Sequence, residues 1–120
     1  MTPNEVKADY RAFLAEAGDT DVVIRRYTGS GADRPFTDTP SLLARVVGYD
    51  PKELVGPIQQ GDRKVIVFAD DLVDAGFELP VRRGDKVVVR GEELNIEAAD
   101  DSTRRVAGVL IAIEIRARGH

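Results

Sequence analysis

The chain contains no cysteine and no tryptophan, one methionine and one histidine, and that histidine is its last residue, His120. Zero cysteine excludes disulfides, a thiol nucleophile and Cys-ligated zinc or iron–sulfur centres. A Ser-His-Asp triad or a His-based metal site would have to be built on a terminal residue. Aromatics are few, three Tyr and four Phe, most of them in apolar patterns that suit a core. No stretch approaches the roughly 18–20 apolar residues of a membrane-spanning helix. The N-terminus, Met1-Thr2-Pro3-Asn4-Glu5, has no basic region followed by an apolar one, so no signal peptide is expected. Nor is there a basic excess. Lys+Arg is 17 against Asp+Glu 21, a formal charge of −4. That balance disfavours a dedicated nucleic-acid or membrane-surface binder. A cytoplasmic chain is expected.

What remains is 120 residues, 42% apolar and 32% charged, the composition of one globular domain. Residues 3–17 predict a helix. Pro3 suits a first turn, and Val6, Tyr10, Phe13, Leu14 and Ala17 share one face. Gly18 is placed to end it in a left-handed conformation. The apolar face packs on the domain or docks on a neighbouring subunit; packing is the simpler reading. From residue 21 the pattern is that of strands. They are expected over 21–28, 42–49 and 63–69, with two long Gly/Pro-bearing connections at 29–40 and 50–62. Asp50 and Pro51 start a short turn in the second connection. Residues 70–76 predict a short helix capped by Asp70 and stopped by Gly76.

Residues 86–97 predict a hairpin turning at Gly91-Glu92, with Arg90 facing Glu93 and Val89 facing Leu94. Val87, Val89, Leu94 and Ile96 then share one face. A turn at 99–103 leads to a long last strand, 104–116. Gly61-Asp62-Arg63-Lys64-Val65 and Gly84-Asp85-Lys86-Val87 are near-repeats, read as one local device used twice to launch a strand. The fold class expected is mainly β: a small antiparallel barrel or sandwich of about six strands, with an N-terminal α-helix and one short helix, in a single domain.

The residues offer little chemistry. Asp70-Asp71 and Asp100-Asp101 lack the spaced ligand pattern of a calcium loop and are better used as a cap and a turn. A two-carboxylate hydrolase would need acids held across a cleft; solvated surface acids are far commoner. Gly29-Ser30-Gly31 lacks the Gly-Lys-Ser/Thr ending of a phosphate loop. The doublets Arg25-Arg26, Arg82-Arg83 and Arg104-Arg105 could meet phosphates or pair with the many acids, and pairing is the preferred reading. No catalytic residue, metal ligand or cofactor is assigned.

Three stretches carry a resemblance: Arg25-Arg26-Tyr27-Thr28-Gly29-Ser30-Gly31, Ala44 through Leu72, and Arg83 through Gly119. Within them stand Val46-Val47-Gly48-Tyr49, Leu54-Val55-Gly56, Ile58-Gln59-Gln60-Gly61-Asp62-Arg63-Lys64-Val65, Gly84-Asp85-Lys86-Val87-Val88-Val89 and Leu94-Asn95-Ile96. Their order and the Gly-Asp-strand-turn hairpin resemble the small head–tail connector proteins of tailed bacteriophages and prophages, the head-closure or stopper class. The resemblance covers most of the chain and includes no catalytic signature. It implies a small β-barrel with long loops, assembled as a ring below the portal and its adaptor. Such a ring closes the DNA-filled head and docks the tail, in the virion neck after assembly in the bacterial cytoplasm. The implied partners are portal, adaptor and tail proteins, further copies of the chain, and passing double-stranded DNA without sequence-specific binding; no enzyme activity and no membrane are implied. Other readings are a small nucleic-acid-binding β-barrel, a tail-completion or minor tail protein, and, least favoured, an enzyme of carboxylate chemistry. Connections 29–40 and 50–62 are the expected assembly and channel segments, with Arg34, Phe36, Lys52, Gln59 and Gln60 as the side chains that reach a neighbour or the duplex. The isolated chain is expected to be a monomer.

Overall fold

The computed structural model describes residues 2–119; the terminal His120 lies outside them. Helix α1 (Pro3–Ala17) opens on a capping box. The Thr2 hydroxyl accepts from the Glu5 N–H at 3.2 Å and the Glu5 carboxylate accepts in return from Thr2, so two orphan groups of the first turn are satisfied together. The helix ends at Gly18, whose N–H donates to the Leu14 carbonyl. Gly18 is not left-handed; its φ is −82°. Space requires the glycine instead. A Cβ there would lie 2.5 Å from the Leu14 oxygen and 2.9 Å from a Leu43 methyl.

The helix lies on the outside of a barrel. Leu14 is buried with Phe68 and Ile111, and Val6, Tyr10 and Leu43 pack around them. Phe13, expected on the same face, stays 47% exposed.

Strand β1 (Asp19–Tyr27) is followed by β2 (Phe36–Asp38), β3 (Leu42–Gly48), a 3₁₀ turn (Pro51–Glu53), β4 (Arg63–Phe68) and α2 (Ala69–Asp74). Then come β5 (Lys86–Val89), β6 (Glu92–Asp100), β7 (Arg105–Val106), β8 (Val109–Leu110) and β9 (Ala112–Arg118). Six strands close an antiparallel barrel in the order β1-β3-β4-β9-β6-β5 and back to β1. Strand alternation sends every second side chain inward. Val22 and Ile24, Val65 and Val67, Val87 and Val89, Leu94 and Ile96, Ile113 and Ile115 are all buried. This is the mainly β barrel with one N-terminal and one short helix that the sequence predicts.

Several local expectations are corrected. The 29–40 connection contains a strand: β2 pairs with the end of β1, Tyr27 opposite Phe36 and Arg25 opposite Asp38, which leaves a hairpin loop closed by the Thr28 N–H on the Pro35 carbonyl. The β5–β6 hairpin turns at Arg90-Gly91, both at positive φ (49° and 82°), not at Gly91-Glu92. Val89 faces Glu92 and Val87 faces Leu94, a register two residues from the expected one. A two-residue shift keeps every side chain on its face, so the apolar pattern cannot tell the two apart. The last strand is broken. Ala107 and Gly108, both at positive φ, turn the short β7–β8 hairpin before β9 begins. Helix α2 is entered from Phe68 without a side-chain cap; Asp70 and Asp71 sit in its first turn, where they meet Lys7 and Arg11 of α1.

Candidate functional site

The two Gly-Asp motifs are one device used twice. Gly61 and Gly84 take positive φ, and each following Asp accepts a backbone N–H from three residues earlier. Both carboxylates are buried, Asp62 at 2% and Asp85 at 3% exposure. Each grips an arginine of the adjacent strand through two hydrogen bonds, Asp62 to Arg118 at 2.7 and 3.0 Å and Asp85 to Arg26 at 2.9 and 2.7 Å. They serve opposite faces of the barrel wall. Asp85 has the parity of inward Val87 and Val89, while Asp62 has the parity of outward Lys64. The Arg118 and Arg116 guanidinia hold the Asp62 carboxyl below the usual aspartate range, and Asp85 raises Arg26. These ions lock strand ends.

Above Arg26 the β1–β2 hairpin carries a stack of cations and rings. The Arg34 guanidinium lies 4.2 Å from the centre of the Tyr27 ring. Tyr27 meets Phe36 edge to face at 5.4 Å, and Arg25 covers Phe36 at 4.0 Å. Arg25 is fixed by two bonds to Asp38 and one to Glu93, and the Tyr27 hydroxyl donates to Glu93 at 2.6 Å. The Tyr27 hydroxyl, and then Arg25, lower the Glu93 pKa; the hydrogen bond to Asp38 is the main cause that raises Arg25. The stack is therefore held in place while Phe36 remains 49% exposed.

Beside it opens a cleft of about 440 Å³ between the Gly29–Gly31 loop and the segment entering β5, lined by Arg26, Tyr27, Arg34, Arg82 and Arg83 among others. Arg34 donates to the Gly31 carbonyl. Gly29 and Gly31 stand at φ +74° and +96° with open space around them, so backbone conformation, not crowding, requires glycine there.

The structure brings Arg34 and Phe36 together and separates them from Lys52, Gln59 and Gln60. The second connection lies against the outer wall. Glu53 binds Lys64 at 2.9 Å, and Arg116 and Arg118 both donate to the Pro57 carbonyl. Lys52, Gln59 and Gln60 are exposed, and Gln59 acts through its backbone on Asp62. No hydrogen bond or ion pair among the described residues joins these three to Arg34 or Phe36. The arginine doublets divide. Arg25, Arg26 and Arg104 pair with acids as expected, but Arg105 donates to backbone carbonyls. Arg82 forms no ion pair among the described residues. Arg83, 81% exposed, reaches only Glu97 at 3.8 Å. The doublet before Gly84-Asp85 was visible in the sequence, but its want of acidic partners was not. Among the described residues no helix is long and apolar enough to cross a membrane. The chain matches no protein-family model and no curated protein.

Proposed function

We propose that the chain is a structural component of the phage head–tail neck, working by assembly and not by catalysis. It forms a ring below the portal and adaptor that closes the filled head and receives the tail, with the tail-completion position as the nearby variant. The observation that carries this reading is the β1–β2 hairpin, which presents a rigidly braced, half-exposed Phe36 on a barrel that has closed its own edges. An aromatic fixed in one geometry costs little entropy on docking and suits the centre of a protein interface. The two buried carboxylates also support a structural role, since both are engaged in arginine pairs at strand ends.

A dedicated nucleic-acid-binding barrel is the second reading, favoured by the cleft at Arg82 and Arg83. Such a protein makes about 6–10 phosphate contacts and loses affinity steeply with salt. The neck reading expects the isolated monomer to bind DNA far more weakly. Phe36→Ala tests the neck reading. The barrel should remain folded, by circular dichroism and thermal melt, while the yield of DNA-filled, tailed particles collapses. Normal particle yield from that variant would remove Phe36 and the hairpin from the proposal.

A further inference from the structure

The structure assigns a phosphodiester-binding site to the cleft between the Gly29–Gly31 loop and Arg82-Arg83, a sequence-independent contact with the backbone of nucleic acid. The chain is acidic overall, and among the described residues eleven of its seventeen Lys and Arg side chains stand in ion pairs. Two of the guanidinia that form no ion pair among the described residues, Arg34 and Arg82, line one cleft together with the exposed Arg83. Arg34 is held by a ring and a carbonyl, Arg82 forms no ion pair among the described residues, and Arg83 has a distant, shared carboxylate. The acids at the margin do not cancel them. Asp85 is buried and bound twice by Arg26; Glu97 is bound by Arg118; Asp33 alone is exposed in the same loop.

Guanidinium groups match phosphate oxygens with paired donors. Two features favour a phosphodiester over an acidic protein segment. A protein partner would be anchored by an apolar or aromatic group at the centre of the contact, whereas the lining here is mostly arginine and glycine, with Ser30, the buried Asp85 and a single ring. The one ring present, Tyr27, has a face covered by Arg34 and meets the edge-to-face contact of Phe36, so it offers no stacking platform for a base. The cleft is thus built to hold charge and not to read sequence. This goes beyond the neck assembly reading: it rests on Arg82, Arg83 and Arg34, whereas that reading rests on Phe36 of the same hairpin.

The test is fluorescence anisotropy of a short labelled DNA duplex with the purified full chain, between about 50 and 200 mM salt. Three arginines predict a shallow dependence, log affinity against log salt falling with a slope of about −2 to −3. Arg82→Gln/Arg83→Gln should weaken binding about tenfold and flatten the slope by nearly two. The charge-matched Arg63→Gln/Arg105→Gln should change affinity less than about threefold. Scrambling the duplex sequence should change nothing. Absence of binding at low salt, or equal losses in the two double variants, overturns the site. A slope of about −6 or steeper also overturns it, because more surface than this cleft would then be engaged. Poly-glutamate of matched charge competing as well as duplex would make it a carboxylate site, and displacement by inorganic phosphate beyond the effect of chloride at equal ionic strength would make it a small-anion site; either result refutes the assignment. Because the readout needs no other phage protein, a failure here leaves the Phe36 experiment undecided by it, and the reverse holds equally.

Discussion

Asp62 ties the first residue before β4 to the last residue of β9, and its removal should be felt throughout the barrel. Its carboxylate is nearly inaccessible and receives two bonds from Arg118, one from the Gln59 N–H and the nearby charge of Arg116 at 3.6 Å. Breaking a buried, hydrogen-bonded ion pair by removing one partner costs about 3–5 kcal/mol. Here the arginines remain partly exposed, Arg118 at 29% and Arg116 at 15%. Both keep the Pro57 carbonyl, and Arg118 also keeps Glu97. They can be rehydrated, which brings the expected loss for Asp62→Ala to about 2–3 kcal/mol. At about 4 °C per kcal/mol for a domain of this size, Tm should fall by about 8–12 °C. Asp62→Asn keeps one acceptor oxygen and should lose about half as much. The carboxyl is held below its ordinary range in the folded state. Its stabilisation is therefore complete above the unfolded value near 3.9 and is lost as pH falls through the folded value. Urea titrations of wild type and Asp62→Asn should differ fully at pH 7, begin to converge below about pH 4 and meet only below the lowered folded value. A difference under about 0.5 kcal/mol at pH 7, or one that stays constant through the acid limb, would refute the view that this ion pair locks the strand ends.

Gly91→Val should lower stability by about 1–2 kcal/mol, because a β-branched residue is placed at φ +82° in the second central position of the turn; an unchanged melting temperature would refute the turn assignment. Asp100 closes the turn after β6 by accepting from the Thr103 hydroxyl and from the Ser102 and Thr103 N–H groups. These bonds, the Thr103 hydroxyl first, bring its pKa down to about 2. Asp100→Ala should cost about 1 kcal/mol at neutral pH. The wild-type advantage should fade between about pH 4 and pH 2, since a lowered carboxyl loses its contribution as it is protonated; thermal melts across that range would show it.

Local pattern was enough to identify much of this protein. The alternation of Val87, Val89, Leu94 and Ile96 set which side chains face the core, and the Pro3 start and apolar spacing set α1. The repeated Gly-Asp was recognisable as a strand-launching device before its ion pairs were known. These features depend on neighbours a few residues apart, where side-chain period and backbone preference act directly. Tertiary structure decided the rest. The hairpin turned at Arg90-Gly91, because two registers that differ by two residues bury the same face and only the backbone conformation separates them. Closure of the barrel joins β1 to β5 and β6 to β9, pairings with no local signal. Nothing in a doublet of arginines tells which acid will lie beside it. Arg26 met Asp85 because β1 and β5 are neighbours in the closed sheet, while Arg82, three residues before Asp85, forms no ion pair among the described residues. The partner of a long charged side chain is fixed by strand order and register, so the cleft could emerge only once the barrel was closed.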